Sequence, residues 1–178
     1  MDLADVDAVA AAVRRVRPQI IVNAAGYTAV DRAESEPALA DATNARARRR
    51  CWPRSEAPDA LLIHYSTDYV FDGNSTEPYR EEDQANPLNV YGSSKLAGER
   101  AIRASGVAHL ILRTSWIYGL HGQNFLLTMR RLAATRTSCG SSPTQFGVPN
   151  WSRALAEATA SLVSWRAAAL AKRAASIT

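Results

Sequence analysis

The sequence predicts an α/β fold built on a parallel sheet, and three observations predict it. Residues 19–25, 60–67 and 107–116 are apolar runs, the first of them β-branched, and each reads as a strand. Segments of helical periodicity separate them, the alternation a parallel sheet requires because its strands need crossover connections. Each run also ends in small or polar residues: Ala24 to Thr28, Ser66 to Tyr69, and Thr114 to Trp116. In a parallel sheet these ends share one edge, where open α/β sheets bind ligands.

Taken in order, residues 5–16 carry Val6, Val9, Ala10, Val13 and Val16, a helical stripe that stops before Pro18. After the first strand, residues 31–46 hold Ala38, Leu39, Ala42 and Ala45 and predict a second helix. His64, inside the second strand, reads as a sheet or core residue. Asp72-Gly73 marks a turn. Pro87 marks another, and from about Leu88 a helix follows with Leu88, Tyr91, Lys95 and Ile102 near helical spacing. Beyond the third strand, residues 124–132 place Phe125, Leu126, Met129 and Leu132 on one helical face, and residues 153–163 predict another helix.

Composition bounds the function. With 178 residues, 47% hydrophobic and 21% charged, the chain suits one soluble domain. No apolar run approaches the ~20 residues of a membrane span. The opening Met1-Asp2-Leu3-Ala4-Asp5 is acidic and predicts no secretory signal. Cys51 and Cys139 lie far apart in no metal or redox spacing, so a cytoplasmic, reducing setting is expected and no metal site. The net charge of +4 comes largely from Arg46, Arg48, Arg49, Arg50 and Arg54 and from Arg166, Lys172 and Arg173. Such runs read as solvated faces, and without interleaved aromatics they predict no nucleic-acid partner.

The chemistry lies in Tyr91 and Lys95, four residues apart and so on one face of a helix. A neighbouring ammonium favours phenolate and is expected to lower the Tyr91 pKa from about 10. Alone, the pair reads as well as an amphipathic helix in which the tyrosine packs and the lysine snorkels. Thr67, at the end of the strand before this helix, changes the balance. A hydroxyl donor, a proton-transferring phenol and a tuning cation are the parts needed to reduce a carbonyl. No side chain donates hydride, so a nicotinamide cofactor must supply it.

The segments 66–73 (Ser-Thr-Asp-Tyr-Val-Phe-Asp-Gly) and 86–99 (Asn-Pro-Leu-Asn-Val-Tyr-Gly-x-x-Lys-Leu-Ala-Gly-Glu) resemble the extended short-chain dehydrogenase/reductases. More narrowly they resemble the dTDP-4-dehydrorhamnose reductases, as do Val22 to Glu34, Arg113 to Gly119, Asn124-Phe125, and Gln145-Phe146-Gly147-x-Pro149. The resemblance implies a Rossmann-like, doubly wound parallel sheet, here incomplete at both ends. It implies a truncated NAD(P)-binding domain over residues 1–135 and a remnant of the substrate lobe over 136–178. Tyr91 would donate the proton, Lys95 would hold the nicotinamide ribose, and Thr67 would hydrogen-bond the sugar carbonyl. Asp2, Leu3, Ala24, Ala25, Gly26, Tyr27, Thr28 and Ser66 would join Tyr91 and Lys95 around NADPH or NADH. Thr67, Asp68, Tyr69 and Trp116 would touch the dTDP-sugar. The implied reaction is reduction of the 4-keto group of dTDP-4-dehydro-L-rhamnose to dTDP-L-rhamnose, and the resemblance leaves a homodimer open.

The chain also departs from that pattern. It shows no glycine-rich turn of the kind that binds a pyrophosphate at a helix N-terminus, so weak or absent cofactor binding is expected. Residues 46–57, with Pro53, replace an alanine-rich helix, and 136–144 replace an apolar strand. Their preserved flanking spacing suggests compensated reading-frame slips. Two alternatives stand beside the reductase: an epimerase or dehydratase of the same superfamily, which shares Tyr-x-x-x-Lys, and a non-catalytic regulatory homologue or inactive truncated product.

Overall fold

The computed structural model describes residues 5–46, 60–138 and 147–175, the last ten of these as backbone alone. The expected departures at 46–57 and 136–144 lie mostly outside the described residues, as do Asp2, Leu3, Cys51 and Cys139. The chain forms two compact units, Met1–Thr114 and Ser115–Thr178.

The first unit opens with helix α1 (Val6–Val16). Asp5 starts it, its carboxylate accepting the Ala8 N–H at 3.0 Å. Arg17 ends it in the left-handed region, φ 46°, its N–H closing on the Val13 carbonyl, one residue before Pro18. Strand β1 (Ile20–Asn23) follows. The helix expected over 31–46 is broken into α2 (Val30–Ala33), α3 (Pro37–Asp41) and a π-helical turn, Ala42–Arg46. The cause is Pro37, which disfavours helical backbone in the residue before it; Glu36 accordingly sits at φ −126°, ψ 46°.

Strand β2 (Leu61–Thr67) runs into a 3₁₀ turn, Asp68–Val70. Helix α4 (Val90–Ala104) is capped by Asn89, whose side chain accepts the Gly92 N–H at 2.7 Å. Leu88 precedes this helix and is 72% exposed, so it does not belong to the buried stripe expected of it. Strand β3 (Ala108–Thr114) completes a parallel sheet in the order β1-β2-β3. The register pairs Asn23 with His64 across β1 and β2, and Thr67 with Thr114 across β2 and β3, so the strand ends do line one edge.

Burial explains the sheet. Alternate residues of a strand face opposite sides. On one side Leu62 and Ile21 pack with Val9 and Val13 of α1, Ile102 of α4 and Val107. His64 is on this same side and fully buried, a core residue as its place in the strand predicts, its Nδ1 3.2 Å from the Asn23 amide nitrogen. A second cluster gathers Ala33, Ala40 and Tyr91 with Tyr27, Val30, Tyr69 and Val90, joining the helical segments after β1 to the start of α4.

The second unit holds two short strands, β4 (Ile117–Tyr118) and β5 (Asn150–Trp151), paired in parallel, with α5 (Phe125–Thr135) and α6 (Ser152–Ala175). Asn124 caps α5 by accepting the Leu127 N–H at 3.0 Å.

Leu62 is fully buried where α1, α4 and the sheet meet, so Leu62→Ala is expected to cost about 2–5 kcal/mol. Ile20, 40% exposed on β1, tests the assignment: Ile20→Ala is expected to stay within about 1 kcal/mol. Urea midpoints of the two variants check both values.

Candidate functional site

The residues that the sequence marks for proton transfer come from adjacent elements of the first unit. Thr67 closes β2 and also caps the turn after it, accepting the Tyr69 N–H at 3.2 Å and donating to Asp68 Oδ1 at 3.1 Å. Tyr91 and Lys95 lie on the first turns of α4, both buried. The Tyr91 ring meets Tyr69 edge to face at 5.8 Å and 77°. The Thr67 side chain acts on its hydroxyl from the end of β2 and favours the ionised form. Lys95 Nζ donates to the Tyr65 carbonyl of β2 at 2.7 Å. Tyr91 and Lys95, predicted from helical spacing, and Thr67, predicted from the polar end of its strand, thus lie on adjacent elements.

Their electrostatics differ from expectation. Burial is the largest influence on Tyr91 and pushes its pKa above 10; the Thr67 side chain opposes this, while Asp68 and Tyr69 push the same way as burial. The expected lowering by Lys95 is absent. A phenol shielded from water resists ionisation more than the neighbouring cation promotes it. Tyr69 is raised likewise, by burial first and then by Asp68 and Asp31.

The glycine after Tyr91 has a steric reason. A Cβ on Gly92 would fall inside van der Waals contact of the Tyr69 carbonyl oxygen and 3.1 Å from Asn89 Oδ1. The 68–70 turn therefore rests directly on the backbone of α4, which holds Thr67 and Asp68 beside Tyr91. Glu34 adds to this end of the helix by accepting the Val90 N–H at 2.8 Å.

At the end of β1, Ala24, Ala25 and Thr28 are exposed and Gly26 and Tyr27 half-buried. Tyr27 is held by Asn44, which accepts its N–H at 2.9 Å and donates to its carbonyl at 3.1 Å. The same amide donates to Ser94 Oγ at 3.0 Å, and Ser94 donates to the Tyr91 carbonyl at 2.7 Å. The Tyr27 hydroxyl donates to Glu36 at 2.6 Å. Asn44 was missed in the sequence, although an asparagine among the alanines of 38–45 is a signal: a buried amide there must have partners. Ser66, expected at the cofactor, turns its hydroxyl to Glu99 at 2.6 Å.

Glu99 was also missed. Its carboxylate is fully buried and receives Arg113 Nε at 3.0 Å and Nη2 at 2.8 Å, with Arg103 Nη2 at 3.1 Å. Burial pushes this carboxyl up, but the Arg113 fork, the Ser66 hydroxyl and the Arg103 charge outweigh it and hold it below the usual range. Past Thr67, Phe71 stacks on Tyr79 at 4.3 Å, and Asp72 accepts from the Tyr79 hydroxyl at 2.7 Å, the Asn74 N–H at 3.0 Å and the Asn86 amide at 3.0 Å. A hollow of about 450 Å³ between Glu34, Pro37, Asp41, Pro87 to Val90, Ser93 and Ser94 is lined by neither Thr67, Tyr91 nor Lys95. Among the described residues, no three His, Cys, Asp or Glu side chains gather to hold a metal, and no helix is long and apolar enough to cross a membrane.

Trp116 belongs to the second unit and is 37% exposed. The strand expected to reach it ends at Thr114, because Trp116 itself adopts φ 41°. Asn150 holds this strained residue from both sides, accepting the Ser115 N–H at 2.9 Å and donating its own N–H to the Trp116 carbonyl at 3.3 Å. Gly147 lies beneath the indole, where a Cβ would come within 2.9 Å of the ring.

A parallel sheet whose strand ends converge on a helix bearing Tyr-x-x-x-Lys defines a Rossmann-like dehydrogenase/reductase fold. The chain belongs to the RmlD substrate binding domain family, whose profile matches residues 1–174. It is 48% identical over 159 residues to the dTDP-4-dehydrorhamnose reductase of Escherichia coli K12, covering 89% of this chain and 53% of that protein. To the Streptomyces griseus enzyme of the same name it is 44% identical, covering 91% of this chain and 54% of the relative. A crystal structure of dTDP-4-dehydrorhamnose reductase from Bacillus anthracis in complex with NADP superposes with a TM-score of 0.87 at 38% identity, over 92% of this chain and 58% of that one. The chain spans about half the length of the curated relatives it matches.

Two outcomes test this geometry. Alanine exceeds glycine in helix propensity by about 1 kcal/mol, yet Gly92→Ala is expected to destabilise, because its methyl meets backbone; a thermal melt reads the sign. Asp72 is held at about 2 from 3.8, first by Tyr79 and then by Asn74 and Asn86. A depressed carboxyl stabilises above its unfolded value, so its contribution is full above pH 3.8 and lost as the pH falls through about 2. Amide exchange over residues 71–86 is expected to rise in that window, and Asp72→Asn to remove the dependence.

Proposed function

We propose that this chain carries the proton-transfer half of an NAD(P)H-dependent reductase that converts dTDP-4-dehydro-L-rhamnose to dTDP-L-rhamnose. One observation carries the reading: a buried tyrosine one helical turn from a buried Lys95, beside the strand that ends at Thr67, at the carboxyl edge of a parallel sheet. The name of the relatives supports the substrate.

In this mechanism Tyr91 is the general acid. Its raised pKa keeps the phenol protonated at neutral pH, the form that holds a proton to give. When the substrate oxygen gains charge, the Tyr91 O–H bond breaks and the proton passes to that oxygen, leaving a phenolate. The Thr67 hydroxyl, turning its one proton from Asp68, would hydrogen-bond the same oxygen, and the Lys95 ammonium would steady the charge as it develops. The nicotinamide cofactor, NADPH or NADH, supplies the hydride when bound.

The residues fit its nicotinamide end. Ala24 and Ala25 are small and exposed and Gly26 follows, so a flat ring can approach the backbone at the end of β1. Tyr27 and Thr28 extend that edge, Lys95 would hold the ribose, and Ser66 would take part through its main chain, its hydroxyl being engaged by Glu99. Asp2 and Leu3 complete the proposed cofactor contacts. Thr67, Asp68, Tyr69 and Trp116 are proposed for the sugar nucleotide, residues 1–135 for the cofactor part and 136–178 for the substrate lobe. A homodimer belongs to the same reading, and sedimentation equilibrium giving the monomer mass would remove it.

The test is NADPH oxidation in the presence of dTDP-4-dehydro-L-rhamnose, with the product identified by mass. Tyr91→Phe is expected to lower the rate about 10²–10⁴-fold while melting as the parent does. A fully active Tyr91→Phe, or a parent chain that oxidises no NADPH with this substrate even at cofactor concentrations high enough to offset weak binding, overturns the reading.

A further inference from the structure

Glu99 follows Tyr91 by eight residues and Lys95 by four, so the three share one stripe of α4. Its carboxylate ties together three elements: Ser66 of β2 at 2.6 Å, Arg113 of β3 through both prongs of its fork, and Arg103 of its own helix. Ser66 is gripped from the other side as well, its carbonyl accepting Thr114 Oγ1 at 3.0 Å. The next residue is Thr67. On its far side the Arg113 guanidinium lies 4.8 Å from the centroid of Phe71, which is stacked on Tyr79 at 4.3 Å and 6°. Tyr79 bonds Asp72, Asp72 receives Asn86, and Asn86 leads through Pro87 into the first turn of α4. The circuit leaves α4 at Glu99 and returns to it beside Tyr91.

We propose that Arg113 and Glu99 are positioning residues that hold Thr67 in register with Tyr91, through Ser66 on one side and the Phe71–Tyr79 stack on the other. Their catalytic meaning rests on the reductase reading; the positioning itself does not. Arginine is required for both tasks, because only a planar fork engages a carboxylate at two points while lying over a ring.

The experiment labels tyrosine Cζ with ¹³C and follows the Tyr91 and Tyr79 resonances, assigned with Tyr91→Phe and Tyr79→Phe. Arg113→Met is expected to shift both. Leu110→Ala, in the same strand but on the opposite face, is expected to destabilise and shift neither. An unmoved Tyr91 resonance in Arg113→Met, or equal movement in Leu110→Ala, overturns the proposal. Should Arg113→Met lose its cooperative melt, Ser66→Ala decides: it deletes only the hydroxyl that Glu99 accepts, and must shift Tyr91 while sparing Tyr79. In NADPH oxidation Arg113→Met is expected to lower kcat up to about 10²-fold, with KM within about twofold; a raised KM at unchanged kcat overturns the proposal. A parent chain without turnover defeats the reductase reading alone, and the resonances still decide the positioning.

Discussion

A carboxylate withdrawn from water survives ionised only if its neighbours replace the lost hydration, and Glu99 is the group on which this structure turns. Its two oxygens accept four donors from three side chains. Taking such a charge out of water carries a penalty of several kcal/mol, so the surrounding donors are not optional decoration of an existing fold. They oblige β2, β3 and α4 to meet at one height along the sheet, and that height is where Thr67 and Tyr91 face each other.

The same burial governs the tyrosine. Two effects compete at Tyr91: the loss of water around the phenol, which raises its pKa, and the Thr67 side chain, which lowers it. Here desolvation wins. Lys95, meanwhile, gives a hydrogen bond to the Tyr65 carbonyl, so part of its charge is spent on the main chain of the neighbouring strand. The result is a phenol held in its protonated form, the state that the proposed general acid needs. Tuning toward donation and tuning toward easy ionisation are different goals, and the packed environment favours the first.

Much of the fold was legible in the amino-acid order. The apolar runs 19–25, 60–67 and 107–116 announced parallel strands, and the apolar stripe of residues 6–16 announced α1, because hydrophobic periodicity records which faces are covered. Tyr91, Lys95 and Thr67 were legible because their neighbours form motifs. What escaped was decided in three dimensions. The break at Pro37 overrode a continuous alanine pattern, and Leu88 looked like part of a stripe until the helix began two residues later. Asn44 and Glu99 bind partners 17 to 50 and 14 to 33 residues away, apart from the local Arg103 contact, separations that no local pattern encodes. The pKa of Tyr91 depends on how completely its ring is covered, which spacing cannot report.

The contact between the Tyr69 carbonyl and Gly92 has one more implication. A smooth helix lying on a sheet can turn about its own axis by small amounts, letting its side chains drift around the cylinder. Here a carbonyl seats in the notch left by a missing side chain, like a key in a slot, and fixes the angular setting of α4 at its first turn. Tyr91 and Lys95 inherit their bearings from that notch. Their aim is therefore set by a residue that carries no functional group at all.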